Sequence, residues 1–209
     1  MAARALLLDF NGTLSEDEPL LFAIFEELFA EAGKPITEAE YYDQLAGLSD
    51  PEVVEAWLGR PEPEVVTRKI ELYKERSADG HTVTPAARDA VRIAADRVAV
   101  AVVSGSARSE IEPVLEAAGL APLIAELVAS EDVANGKPAP DGYLRALELL
   151  TVGPEEGVAV EDSEVGVAAA KAAGLRCYAV TGTLPPHRLA AADGIVARLD
   201  PALIRQALA

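Results

Sequence analysis

The chain has 209 residues, half of them hydrophobic and a quarter charged, which suits one folded domain carrying an insertion and excludes a disordered segment. Lys and Arg number 18 against 35 Asp and Glu, a net charge of −17, so nucleic acid and anionic membrane surfaces are excluded as partners of the molecule as a whole. A single cysteine, Cys177, excludes an internal disulfide and fits a reducing, cytoplasmic setting, and the short apolar run before Asp9 falls far below a signal or membrane-span pattern.

Ala5-Leu6-Leu7-Leu8 is a continuous apolar run ending at Asp9-Phe10-Asn11-Gly12-Thr13, the pattern of a buried strand that stops at a polar turn. The period then changes. Leu20, Leu21, Ile24, Phe25, Leu28 and Phe29 recur at helical spacing until Gly33 supplies a stop. Thr37 with Glu40 forms a capping box, and Ser49-Asp50-Pro51-Glu52 starts another helix, carrying Val53, Val54, Trp57 and Leu58 up to Gly59. A fourth helix is predicted over Glu62 to Arg76, so residues 15–81 form an all-helical block. The block is the more acidic part, with six Lys and Arg against seventeen Asp and Glu.

From Thr84-Pro85 onward helices and strands alternate. A helix from Pro85 leads to a strand over Val98 to Val103, and a helix from Ala107 to a short strand at Glu126 to Ala129. Helices at Asp141 to Leu150 and Glu164 to Ala173 lead to strands at Gly157 to Val160 and Cys177 to Val180, with Ile195-Val196 as a last short strand. Nearly continuous apolar strands separated by helices predict a three-layer α/β fold built on a Rossmann-like parallel sheet. Residues 1–14 and 82–209 make that sheet domain, and 15–81 are inserted after its first strand.

Ligands of open α/β sheets bind beyond the carboxyl ends of the strands. The polar residues predicted there are Asp9, Ser104 and Glu161-Asp162, with Lys137 in a Gly136-Lys137-Pro138 turn. Carboxylates that close together do not all stay ionised without a cation, which oxygen-seeking Mg²⁺ would supply. Lysine and backbone N–H groups at a helix start would hold phosphate oxygens.

Asp9-Phe10-Asn11-Gly12-Thr13-Leu14, Val103-Ser104-Gly105-Ser106, Gly136-Lys137-Pro138-Ala139-Pro140 and Val160-Glu161-Asp162-Ser163-Glu164-Val165-Gly166-Val167 resemble, in order, the four motifs of the haloacid dehalogenase superfamily. The resemblance is strongest to its β-phosphoglucomutase and phosphoglycolate-phosphatase-like branch, which carries a helical cap after the first motif. It implies a phosphatase acting on a small phosphorylated metabolite. Asp9 would be the nucleophile that forms an aspartyl phosphate, with Ser104, Gly105, Gly12 and Lys137 around the phosphoryl oxygens. Mg²⁺ would be bound by Asp9, the main-chain carbonyl of Asn11, Asp162, and Glu161 directly or through water. Lys69 resembles a cap lysine that reaches substrate. The chain is expected to act as a monomer or weak homodimer.

The sequence departs from the family at Asn11, where a second aspartate normally protonates the leaving oxygen and later activates water. An amide has no titratable proton, so assistance worth roughly 10² to 10⁴ in rate is at stake. Four readings stand open: slow turnover or easily expelled leaving groups, another side chain acting as acid, an engineered trap, or a natural loss that leaves a phosphometabolite-binding or regulatory protein. Asn11-Gly12 is also a pairing prone to deamidation. Basic residues expected around a second phosphate in sugar-phosphate mutases are missing near Gly47-Leu48-Ser49-Asp50, which argues against a mutase, and the Glu161-Asp162 pair argues against a metal-independent dehalogenase.

The remaining candidates have plainer readings. Arg108 is expected at the surface, His81 and His187 as structural or exposed, Cys177 and Trp57 in the core, and the acidic run Glu16-Asp17-Glu18 in solvent.

Overall fold

A computed structural model describes residues 3–209. Strand β1 (Ala5–Leu8) is followed by the four helices of the insertion: α1 (Glu18–Glu31), α2 (Glu38–Gln44), α3 (Asp50–Leu58) and α4 (Pro63–Arg76). Next come α5 (Pro85–Ala95), β2 (Ala99–Val103), α6 (Arg108–Ala117), β3 (Glu126–Val128), α7 (Asp141–Leu150), β4 (Gly157–Glu161), α8 (Glu164–Ala172), β5 (Arg176–Val180), β6 (Gly194–Val196) and α9 (Pro201–Ala207). The expected elements are therefore present, with ends shifted by a residue or two. The periodicity predicts no element after Val196, whereas the structure has α9 there. Its start is written in Asp200-Pro201: the aspartate carboxylate accepts from the N–H groups of Ala202 and Leu203.

The six strands are all parallel, in the order β3-β2-β1-β4-β5-β6. The opening strand is thus central, with Leu8 in register with Val102 on β2 and Val160 on β4. Its four residues are all fully buried because helices cover both faces. Alternate residues serve opposite layers. Leu6, Leu8, Val100 and Val102 pack with α5, α6 and α9, whereas Ala5, Leu7, Ala101 and Val103 pack with α7 and α8. The first layer continues through Phe10 and Leu14 into Ile24, Phe25 and Phe29 of α1 and Trp57 of α3.

Local caps set the helix starts. The Thr37 hydroxyl accepts from Glu40 N–H while the Glu40 carboxylate accepts from Thr37 N–H, and Ser49 N–H donates to Glu52. Among the described residues no helix is long and apolar enough to cross a membrane.

Leu7 is completely buried on the central strand, and Leu149 of α7 is 38% exposed. Leu7→Ala is expected to cost about 2 to 5 kcal/mol of unfolding free energy, and Leu149→Ala within about 0.5 kcal/mol. Denaturant titrations with an unchanged slope check both values.

Candidate active site

Because β1 lies between β2 and β4, the residues that follow these strands gather at one edge. Asp9 N–H donates to Val160 carbonyl (3.0 Å) and Ser104 N–H to Val128 carbonyl (2.9 Å), so each backbone leaves the sheet still tied to its neighbour. Asp9, Asn11, Ser104, Gly105, Lys137 and Asp162 line one cavity of about 330 Å³. The helical block supplies the opposite wall, including Leu21, Phe25, Leu48, Val53 and Val66. Gly12 lies behind Asn11. Its φ of +71° and the collision that any Cβ would make with the Asp162 carboxylate restrict that position to glycine.

Lys137 precedes a cis peptide bond to Pro138. Its Nζ lies 2.6 Å from Asp9 Oδ1 and 2.6 Å from Glu161 Oε1. Burial opposes the charge on Lys137, but the two carboxylates outweigh it and hold its pKa above the ordinary lysine value. Glu161 is fully buried; Tyr143 also donates to its Oε1 (2.6 Å), and Asp162 N–H donates to its Oε2 (3.3 Å). Burial raises the Glu161 pKa, partly offset by Lys137. Asp162 is held well above the carboxylate range by burial and then by repulsion from Asp9 and Glu161.

One carboxylate oxygen from each of Asp9, Glu161 and Asp162 lies within 4.8 Å of the others. Asp162 Oδ2 and the nearby Thr183 Oγ1 are buried with no hydrogen-bond partner among the described residues. Ionised together, three carboxylates facing a single ammonium would leave an excess of two negative charges, and an unpartnered buried oxygen is expensive. The donor set is therefore that of a hard divalent cation with oxygen ligands.

Ser104 does not cap α6, whose first turn instead begins at Ala107, where Glu110 accepts the N–H. The Ser104 Oγ accepts from Ser106 N–H (3.1 Å), so its own proton points elsewhere. No atom lies within 4 Å of a Cβ built on Gly105, which leaves the backbone there open to a ligand. Lys69 lines the cavity, but its Nζ sits between Asp50 Oδ2 (2.9 Å) and Glu110 Oε1 (2.8 Å). Arg108 is engaged with Asp132 at the surface, His81 is exposed, and Cys177 and Trp57 are buried, as expected.

The acidic run is the correction. Glu16 is exposed, but Asp17 is fully buried and Glu18 is only 7% exposed. Asp17 accepts from Asn11 Nδ2 (2.9 Å), Gly12 N–H (3.0 Å) and the Tyr73 hydroxyl, while Ser106 donates to Asn11 Oδ1 (2.7 Å). The Asn11 amide is thus fixed at both ends. Gly12 N–H, the group that attacks in deamidation, is occupied. Glu18 lines the cavity and accepts from the Tyr41 hydroxyl (3.0 Å). The partners, Tyr41 on α2 and Tyr73 on α4, lie 23 and 56 residues along the chain, beyond the reach of local pattern. The one local hint was position: the pair falls where strand gives way to an apolar-faced helix with Pro19 in its first turn.

Residues 3–174 match the family model described as haloacid dehalogenase-like hydrolase. The chain is 30% identical over 204 residues to the phosphorylated carbohydrates phosphatase of Thermotoga maritima, covering 94% of each. It is 33% identical over 208 residues to the protein CbbY of Cereibacter sphaeroides, covering 92% of this chain and 90% of that one. The crystal structure of CbbY from Rhodobacter sphaeroides in complex with phosphate superposes with a TM-score of 0.85 at 30% identity, over 97% of this chain and 96% of that one.

Burial, and then repulsion from Asp17, push the Glu18 pKa from 4.5 up to about 8. Folding therefore takes up a proton between those values, so the stabilisation is complete below about 4.5 and is lost as the pH rises through about 8. The melting temperature of the chelator-treated protein is expected to fall over this interval, and to fall less steeply in Glu18→Gln. Melts at stepped pH measure the difference.

Proposed function

The chain belongs to the haloacid dehalogenase-like hydrolases, and we propose that it is a Mg²⁺-dependent phosphatase of small phosphorylated metabolites working through an aspartyl phosphate. The observation that carries this reading is the Asp9 carboxylate at the end of the central strand. It meets Lys137 on one side and the unpartnered Asp162 oxygen on the other, inside a cavity of metabolite size.

In this reading Asp9 attacks phosphorus, forming an O–P bond as the bond to the leaving oxygen breaks, and water then cleaves the acyl phosphate to return Asp9 and inorganic phosphate. Lys137, the Ser104 hydroxyl and the open backbone at Gly105 hold the non-bridging oxygens, whereas the N–H of Gly12, expected among them, is already given to Asp17. Asp9, Asp162 and the Asn11 carbonyl would hold Mg²⁺. Glu161 would act at one remove, because Lys137, Tyr143 and the Asp162 amide already engage its oxygens. Bound there, the cation supplies charge neutralisation of the transferring phosphoryl group.

Residues 1–14 and 82–209 serve as the catalytic domain and 15–81 as a cap that chooses substrate and excludes water. The two lysines that line the cavity, Lys69 and Lys137, are each held by two carboxylates. Among the described residues the lining offers no other cation for a second phosphate, so a monophosphate of a carbohydrate or polyol fits better than a bisphosphate. Lys69 contacts the substrate only by sharing its ammonium with Asp50.

Asp9→Ala is expected to reduce phosphate release from a panel of monophosphates to background. Chelation is expected to do the same, with recovery on adding Mg²⁺. A colorimetric phosphate assay reads both, and activity that survives both treatments refutes the assignment.

Asn11 favours a second reading, a phosphometabolite-binding protein with weakened catalysis. Under it Asn11→Asp raises phosphate release by about 10² to 10⁴; substantial turnover by the native chain that the substitution barely changes rules it out.

A further inference from the structure

The proposed chemistry needs a proton for the leaving oxygen, and Asn11 has none to give. Its amide is also immobilised, donating to Asp17 and accepting from Ser106. The other titratable groups lining the cavity are nearly all committed. Lys69 and Asp50 pair with each other, Lys137 pairs with Asp9, Tyr143 donates to Glu161, Tyr41 donates to Glu18, and Asp162 belongs to the cation site. Glu18 is the exception. Its Oε2 accepts from Tyr41, while its Oε1 takes part in no hydrogen bond among the described residues, and the side chain faces the same cavity as Asp9 and Asn11.

We propose that Glu18 is the acid and base of this active site, supplying from the helical block the proton that Asn11 cannot. The inference rests on the phosphatase reading above. As the Asp9 oxygen bonds to phosphorus, the Glu18 Oε1–H proton passes to the departing alkoxide oxygen, releasing an alcohol. The resulting carboxylate then takes a proton from the water that attacks the aspartyl phosphate. The Asp9–phosphorus bond breaks, and Glu18 is protonated again for the next cycle.

The environment of Glu18 suits this work. It faces Asp17 on its own segment, Asp9 from β1, Asp162 from the turn after β4, Tyr41 and Tyr42 from α2, and Lys69 from α4. Burial dominates and, with repulsion from Asp17 and Asp9, outweighs Tyr41 and Lys69, so the carboxyl keeps its proton up to about pH 8. The Tyr41 hydroxyl steadies the carboxylate during the interval when the proton is away.

The test compares an alkyl substrate, the best turned-over of glycerol phosphate, ribose phosphate and phosphoglycolate, with para-nitrophenyl phosphate, whose leaving group needs little protonation. Glu18→Gln is expected to lower the alkyl-to-aryl ratio of kcat/KM by about 10²-fold or more. The native profile for the alkyl substrate should fall on the alkaline side near pH 8, and that limb should vanish in Glu18→Gln. Adding Asn11→Asp to Glu18→Gln should restore alkyl turnover, which a merely structural role of Glu18 would not permit. An unchanged ratio, a persisting alkaline limb, or a native chain that cleaves the aryl but no alkyl ester overturns the assignment while leaving the phosphatase reading standing. Aryl turnover that is absent in the native chain, or insensitive to Asp9→Ala, removes the phosphatase reading and this inference with it.

Discussion

Three carboxylates are driven to one edge of the sheet by the strands that carry them, and among the described residues a single ammonium, that of Lys137, meets them there. Asp9 and Glu161 share Lys137, whereas Asp162 has a buried oxygen with no hydrogen-bond partner among the described residues. Such an arrangement is unstable in isolation, because burial and mutual repulsion both oppose ionisation. It persists because a backbone of six parallel strands holds the groups in place. The same poorly compensated carboxylates that cost folding energy suit the site to a divalent cation, whose two positive charges would offset the excess.

A second layer of buried charge joins the helical block to that edge. Asp17 collects the Asn11 amide, the Gly12 N–H and the Tyr73 hydroxyl, so α4 and the loop after β1 share one carboxylate. Lys69 of α4 reaches Glu110 of α6, with both side chains almost fully buried. Gly47, at φ +89°, lets the loop after α2 lie against Ser163 where a side chain would clash. Buried pairs of this kind add little net stability over apolar packing, but losing one partner strands the other charge. They fix where the block sits relative to Asp9, and so which side chains, Glu18 among them, look into the cavity.

The acidity of the chain reads differently in this light. A net charge of −17 serves solubility over most of the surface, yet part of it is buried around the cavity at Asp17, Glu18, Glu110, Glu161 and Asp162. Asp17, Glu18, Glu110 and Glu161 hold hydroxyls, amides and lysines in fixed orientations, and all five groups are raised in pKa with burial as the leading cause.

The sequence by itself determined the α/β alternation, the helical insertion after β1, and the convergence of Asp9, Ser104, Lys137 and Glu161-Asp162 on one sheet edge. Period, caps and the rule that ligands sit beyond strand carboxyl ends are local or topological properties, so they can be read along the chain. Set beside the family resemblance, it also exposed the missing acid at Asn11, since a side chain's titratable protons belong to its covalent structure. Only the tertiary structure decided that Asp17 and Glu18 are buried, that Lys69 is held by Asp50 and Glu110, and that Lys137 divides itself between two carboxylates. Burial and pairing are set by groups 19 to 128 residues apart, brought together by packing that no local pattern encodes. A run of three acidic residues looks solvated until its partners arrive from other helices.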